Sequence, residues 1–462
     1  MIIQPSILQK ALDAALSTGA DFADIFIEET WSSSMSFMDR KPDRALVGEI
    51  YGAGVRLFFG HEIVYVTTND LSEAGLIRAA KKAAQTKTSQ ASVSPQALHE
   101  SQFSNVHRFG MKPWERDRQQ KIKWLQNLDQ IARQRSSLVT QVSPSLLEKF
   151  QRIQVANSQG LLASDERAYS RMGMQVHVEN QGVKEGFHDN VGHMGTSELF
   201  ESYDAKGLAE NVTDKAVMLT TAKFAPAGEM PVLIDNAFGG VIFHEACGHG
   251  LETTAVAKDA SVFCGMLGQK VAHESVTAID DGTIPQGWGS LNIDDEGRPT
   301  QKTVLIEKGI LKSYIVDEMG SRQTGFAPTG SGRRQNYKYA PASRMRNTYI
   351  AAGTDRFEDM VRDVDYGIYA KKMGGGSVNP GTGDFNFAVA EAYIVRNGRI
   401  EEPVKGATLI GRGIDALKKI EKVSSDLQLA TGMCGSVSGS IPAAVGQPQI
   451  LVSSLLVGGR AG

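Results

Sequence analysis

The stretch Phe243-His244-Glu245-Ala246-Cys247-Gly248-His249-Gly250 gathers two imidazoles, a carboxylate and a thiol beside two glycines. Histidine is scarce, nine in 462 residues, so two of them bracketing a glutamate point to metal chemistry. In the HExxH pattern of zinc proteases the histidines lie four apart on a helix, about 40° around its axis, and both rings reach one metal. His244 and His249 are five apart, about 140° on a straight helix, which aims the rings apart. Two distortions bring them together: a π-bulge that absorbs the extra residue, or a helix that ends at Gly248 with His249 on a loop.

Catalytic zinc takes three protein ligands and leaves a fourth position to water. Candidates for the third are Cys434, Cys264, Cys247, His273 and nearby acids. Cys434 sits in the glycine-flanked run Thr431-Gly432-Met433-Cys434-Gly435, where the backbone presents a thiolate at little steric cost, but spacing alone ranks it level with Cys264. Glu245, adjacent to a ligand, is better placed as a general base on bound water than as a further ligand.

The elements that must position these groups are legible in part. Pro231 to Asp235 is a short apolar run of strand type, Gly239-Gly240 punctuates it, and a helix begins at Val241, so the metal would lie near the end of a buried strand. Upstream, Leu8, Ala11, Leu12, Ala15 and Leu16 mark a helix, strands follow between Phe22 and Thr67, and Ser72 to Ala84 is helical. Residues 86–110 are polar and read as a linker, Pro113 to Arg135 as a helix, and Met172, Met174, Val176 and Val178 alternate as in a half-buried strand. From Met230 onward many short strands follow, among them a hairpin turning at Lys308-Gly309 and a last strand from Ile450 to Val457.

The expected fold class is α+β: an N-terminal region of helices around antiparallel strands, then a mostly antiparallel β domain carrying the metal-motif helix. The expected segments are 1–90, 91–228 and 229–462. Gly374-Gly375-Gly376-Ser377 lacks the ending of a P-loop and reads as a flexible or ligand-covering loop. Asn292 to Gly297 imitates a calcium loop, but Thr303 stands where the closing glutamate belongs. His188 and His193 read as hairpin or loop residues rather than ligands.

Composition excludes several classes. A net charge of −3 and a pI near 6.3 give no basic surface for nucleic acid. No run of about 18 apolar residues offers a membrane span, and the amino terminus lacks the pattern of a secretory signal. On that reading the expected location is cytoplasmic, and three scattered cysteines, too few for a disulfide framework, are expected to be thiols there.

Beyond single motifs, the chain resembles the TldD/PmbA family, on its catalytic TldD side. The resemblance spans nearly the whole chain and rests on His244 to His249, Asp280 to Thr283, Gly289 to Gly297, Pro299 to Ile306, Pro403 to Gly411, Met433-Cys434-Gly435 and Val445 to Pro448. It implies a zinc metallopeptidase in which His244, His249 and Cys434 hold Zn2+ and Glu245 is the base. It further implies cleavage of unstructured peptides or unfolded proteins, with peptide maturation among the family's roles. The implied partner is a TldE/PmbA-like subunit in a heterodimer, a homodimer being the alternative. One departure stands out: after Met-Cys-Gly such sequences continue with Lys, an acidic residue, Gly and Gln, whereas Ser436-Val437-Ser438-Gly439-Ser440 stands here. The rival reading is a non-catalytic protein-binding modulator whose structural zinc is closed by a fourth ligand such as Cys247 or Cys264.

Overall fold

The computed structural model describes residues 2–90, 93–107, 109–379 and 381–459. Residues 91, 92 and 108 of the expected linker lie outside them. The architecture is α+β, with three large sheets that are mostly antiparallel.

The first sheet has seven strands: β1 (Phe22–Met38), β2 (Lys41–Phe59), β3 (Glu62–Thr68), β4 (His99–Glu100), β5 (Val139–Asn157), β6 (Leu161–Asn180) and β7 (Val183–Met194). Their order is β3-β2-β1-β5-β6, with β4 and β7 both on β6. Because β1 pairs with β5 from Asp24–Asn157 to Ser36–Ser145, segments 1–90 and 91–228 contribute to one sheet. Helices α1 (Pro5–Leu16) and α2 (Glu73–Ala84) bury their apolar stripes against β1 and β2. Helices α3 (Arg118–Arg135) and α4 (Ala205–Thr221) bury Leu125, Leu128, Val212 and Ala216 in a core with Met172, Met174 and Val176 of β6. The expected start of α3 at Pro113 moves to Arg118, because the Asp117 carboxylate caps the helix by accepting the Gln119 N–H.

The remaining two sheets flank the metal motif. In the eight-stranded one, pairing of Tyr366–Val378 with Asp384–Arg396 closes five strands into a barrel-like ring. The run Gly374 to Ser377 belongs to the first of these strands, interrupted by bulges, and is therefore not a free loop. The six-stranded sheet ends in the hairpin Gln428–Ser436 and Gly439–Gln447, with Gln428–Ser436 outermost. Lys308 and Gly309 both take left-handed φ, 46° and 80°, as a two-residue hairpin turn requires.

Buried ion pairs lock the N-terminal sheet to the rest. Arg56 of β2 bridges Asp24 and, at 2.9 Å, Glu296, while Arg167 of β6 holds Asp295 at 2.6 Å. The calcium-like run is thus a structural joint. Asp294 accepts the backbone N–H groups of Glu296, Arg298 and Gly332, each at 2.9 Å.

Candidate metal centre

The motif helix α5 spans only Val241–Ala246. Its entry is tight: a Cβ at Gly240 would stand 2.4 Å from the Gly446 carbonyl oxygen, so only glycine lets the chain pass. Val241, Ile242, Phe243 and Ala246 bury themselves in the core shared by the barrel and the six-stranded sheet. At Cys247 the backbone leaves helical geometry (φ −130°, ψ −45°), and Gly248–Leu251 forms a 3₁₀ turn. Of the two distortions open to the sequence, the helix break is the one adopted, with His249 on a tight turn. A Cβ at Gly248 would lie 2.2 Å from the buried Met345 sulfur, so any side chain there would force Met345 to move.

The break brings the two rings to a centroid separation of 5.3 Å at 85°. Cys434, buried on the outer strand of the hairpin, places Sγ 3.4 Å from His249 Nε2. One donor atom from each of His244, His249 and Cys434 falls within 4.8 Å of the others. The other candidates stay apart from this group. Cys247 is buried in the apolar core, Cys264 Sγ faces the Val256 carbonyl at 3.7 Å, and His273 Nδ1 meets Ser275 at 3.0 Å. Glu245 sets Oε2 3.6 Å from His249 Nε2, on the edge of the group.

Neighbouring residues fix which nitrogen points inward. His244 Nδ1 lies 2.8 Å from Thr348 Oγ1, leaving Nε2 for a metal. His249 Nδ1–H donates to Glu252 at 3.1 Å, since an ionised carboxylate only accepts. Glu252 is itself held by the Met345 N–H at 3.3 Å. The fully buried Arg344 donates to the carbonyls of Cys434 and Gly439 and to Ser438, which clamps the hairpin that carries the thiol. The departing segment Ser436 to Ser440 is the turn of this hairpin. Sequence reading missed Glu252, Thr348 and Arg344. Only Glu252, three residues after His249, left a signal, that of a carboxylate placed to orient a ligand.

The electrostatics suit a cation. Burial opposes a Cys434 thiolate, yet the adjoining His244 and His249 rings hold the thiol well below its usual range. Burial likewise opposes charge on His249, but Glu252 and Cys434 hold its imidazolium well above the usual histidine range. A site that stabilises thiolate and positive charge together fits a divalent metal in place of the protons. Burial pushes the Cys247 thiol up, so it stays a neutral core residue.

Three family models match the chain in succession: the PmbA/TldA metallopeptidase domain 1 over residues 23–86, its central domain over 112–220, and its C-terminal domain over 227–459. The chain belongs to the PmbA/TldD metallopeptidase family. It is 37% identical over 451 residues to the Haemophilus influenzae protein named metalloprotease TldD homolog, covering 95% of this chain and 93% of that one. A Saccharolobus solfataricus relative, named zinc metalloprotease TldD homolog, is 30% identical over 262 residues, 56% of this chain and 58% of its own. In fold, the chain is similar to TldE from Thermococcus kodakarensis, with a TM-score of 0.79 at 18% identity, covering 98% of this chain and 99% of that one. Within the PmbA/TldD family, then, this chain brings together three side chains that could hold a metal ion, beside a carboxylate.

Proposed function

We propose that this member of the family is a zinc-dependent peptidase that hydrolyses unstructured peptides. The observation that carries the reading is the convergence of His244, His249 and Cys434 with Glu245 alongside. Among the described residues the donor group comprises three side chains, the count of a catalytic zinc site with a position to spare. A closed structural site would need a fourth, and neither Cys247 nor Cys264 joins it.

Bound zinc would supply Lewis acidity, bringing the pKa of water down toward about 7 and polarising the scissile carbonyl. Glu245 takes the proton from the attacking water and hands it to the departing amine, so protons balance across the amide cleavage. Thr348 and Glu252 hold the two imidazoles as Nε2 donors, and Arg344 keeps Cys434 in register. The outermost strand, Gln428–Ser436, offers an edge along which an extended chain can lie, and such backbone recognition tolerates many sequences.

The natural assembly in this reading is a dimer with a TldE/PmbA-like subunit, or with a second copy. Leu46 and Val47 on β2 are 61% and 68% exposed, and Val437, at the tip of the hairpin that carries Cys434, is 69% exposed. Covering apolar residues at that tip would roof the donor group and admit only extended chains. No helix among the described residues is long and apolar enough to cross a membrane. A reducing cytoplasm suits the three free cysteines. The test compares zinc content and cleavage of unfolded peptides for wild type and Glu245→Gln. Retained zinc with cleavage lowered about a hundredfold or more is expected. Absence of cleavage by the assembled wild-type complex sinks the proposal.

A further inference from the structure

Beside the metal hairpin lies a cavity of about 500 Å³ that the hydrolytic steps do not use. Four segments distant in sequence form it: β7, the turn that leads into α5, the bulged strand Tyr366–Val378, and the outer strand Gln428–Ser436. Val191, Phe238, Met373 and Leu429 supply apolar walls. The two lysines of its rim are already paired, Lys371 with Asp235 and Lys372 with Asp189 at 2.6 Å, while Asp235 Oδ1 is buried with no hydrogen-bond partner. An acidic side chain entering here would lose water without gaining an unpaired lysine, whereas an apolar one gains by leaving water. The volume lies in the range of ligand pockets, roughly 300–1,000 Å³, and is ample for a large side chain.

Its position relates it to the metal group from two sides. Leu429, Ala430 and Thr431 line the cavity, and Cys434 lies three residues further along the same strand, about 10 Å at about 3.3 Å per residue. On the opposite wall, Phe238 and Gly239 lead straight into α5 and His244. An extended peptide that reaches both the donor group and the cavity therefore spans about three residues. We propose that this cavity is a specificity pocket that takes a bulky apolar side chain three residues from the scissile bond of an extended peptide. The assignment rests on the hydrolytic reading for its substrate class. It gives a role to the Gly374-Gly375 run, whose lack of side chains leaves the bulged strand as a low wall; a Cβ at Gly375 would meet nothing within 4 Å.

The test uses peptides that differ only by Phe, Gly or Asp, scanned through the second to fourth positions on either side of the cleaved bond. Cleavage is measured on the zinc-loaded complex with its TldE-like subunit, and binding by fluorescence anisotropy on the metal-free form of the same complex. The Phe peptide is expected to exceed the Gly and Asp peptides at least about tenfold in kcat/KM at one such position, and likewise in affinity. Gly375→Phe, which adds a ring at the low wall, and Phe238→Ala, which strips a wall, should each shrink that ratio severalfold. Cleavage without preference at any position, or a ratio unchanged in both variants, overturns the pocket and leaves the hydrolytic reading intact. Absent cleavage with a Phe preference in binding that Gly375→Phe abolishes has the opposite meaning: the pocket stands and the hydrolytic reading falls.

Discussion

Replacing Glu252 with glutamine tests how far the donor group depends on its support. Glu252 is 3% exposed and receives two N–H groups, from His249 Nδ1 at 3.1 Å and from the Met345 backbone at 3.3 Å. Glutamine keeps one acceptor oxygen and presents an NH2 to the other donor, so one buried N–H loses its partner whichever way the amide turns. The ring of His249 is then free to rotate or to place its proton on Nε2, the atom that faces the metal. Loss of such a partner weakens metal binding about 10- to 100-fold, which corresponds to about 1.4–2.7 kcal/mol. Competition against a chromophoric chelator gives the zinc Kd of each form, with circular dichroism to verify that both are folded. A Kd for Glu252→Gln within about twofold of wild type would refute the claim that Glu252 orients the ligand.

Three further outcomes are expected. Cys434→Ser should lose most of its zinc, because a hydroxyl is a poor ligand at neutral pH, while Cys264→Ser keeps it; equal metal content in the two refutes the assignment. Burial pushes the His107 imidazole down to about 4. The unfolded chain takes up that proton near pH 6.5 and the folded one does not, so stability is full above about pH 6.5 and falls toward pH 4. Denaturant midpoints at pH 7 and 4.5 should show wild type losing about 1–2 kcal/mol more than His107→Asn, and parallel losses contradict this. Light scattering with peptide hydrolysis should find the isolated chain at least dimeric and poorly active until a TldE-like subunit is added, and a fully active monomer rules that out.

The two histidines of the candidate site stood out in the sequence because imidazole is rare, and their spacing left two ways for them to meet. Cys434 illustrates the limit: local spacing ranked it level with Cys264, the family resemblance singled it out, and the fold shows the hairpin bringing its sulfur to His249, 185 residues away in sequence. Period-two alternation marked β6 at Met172 to Val178, and the Lys308-Gly309 turn declared its hairpin. The joining of β1 to β5 left no comparable mark, since their register is set by side chains more than a hundred residues apart. Arg344 was hidden by chemistry that is common everywhere in the chain, which holds 49 basic residues. The cavity beside the hairpin was invisible for a related reason, because its four walls converge only on folding.

The central claim is that two imidazoles and one thiolate hold zinc and leave a position open. X-ray absorption at the zinc edge, measured on the loaded wild-type protein, reads that ligand set directly. The account predicts one sulfur at about 2.3 Å together with nitrogen and oxygen at about 2.0–2.1 Å, and loss of the sulfur shell in Cys434→Ser that has been forced to retain metal. A first shell with two sulfurs, or with none in wild type, would contradict it.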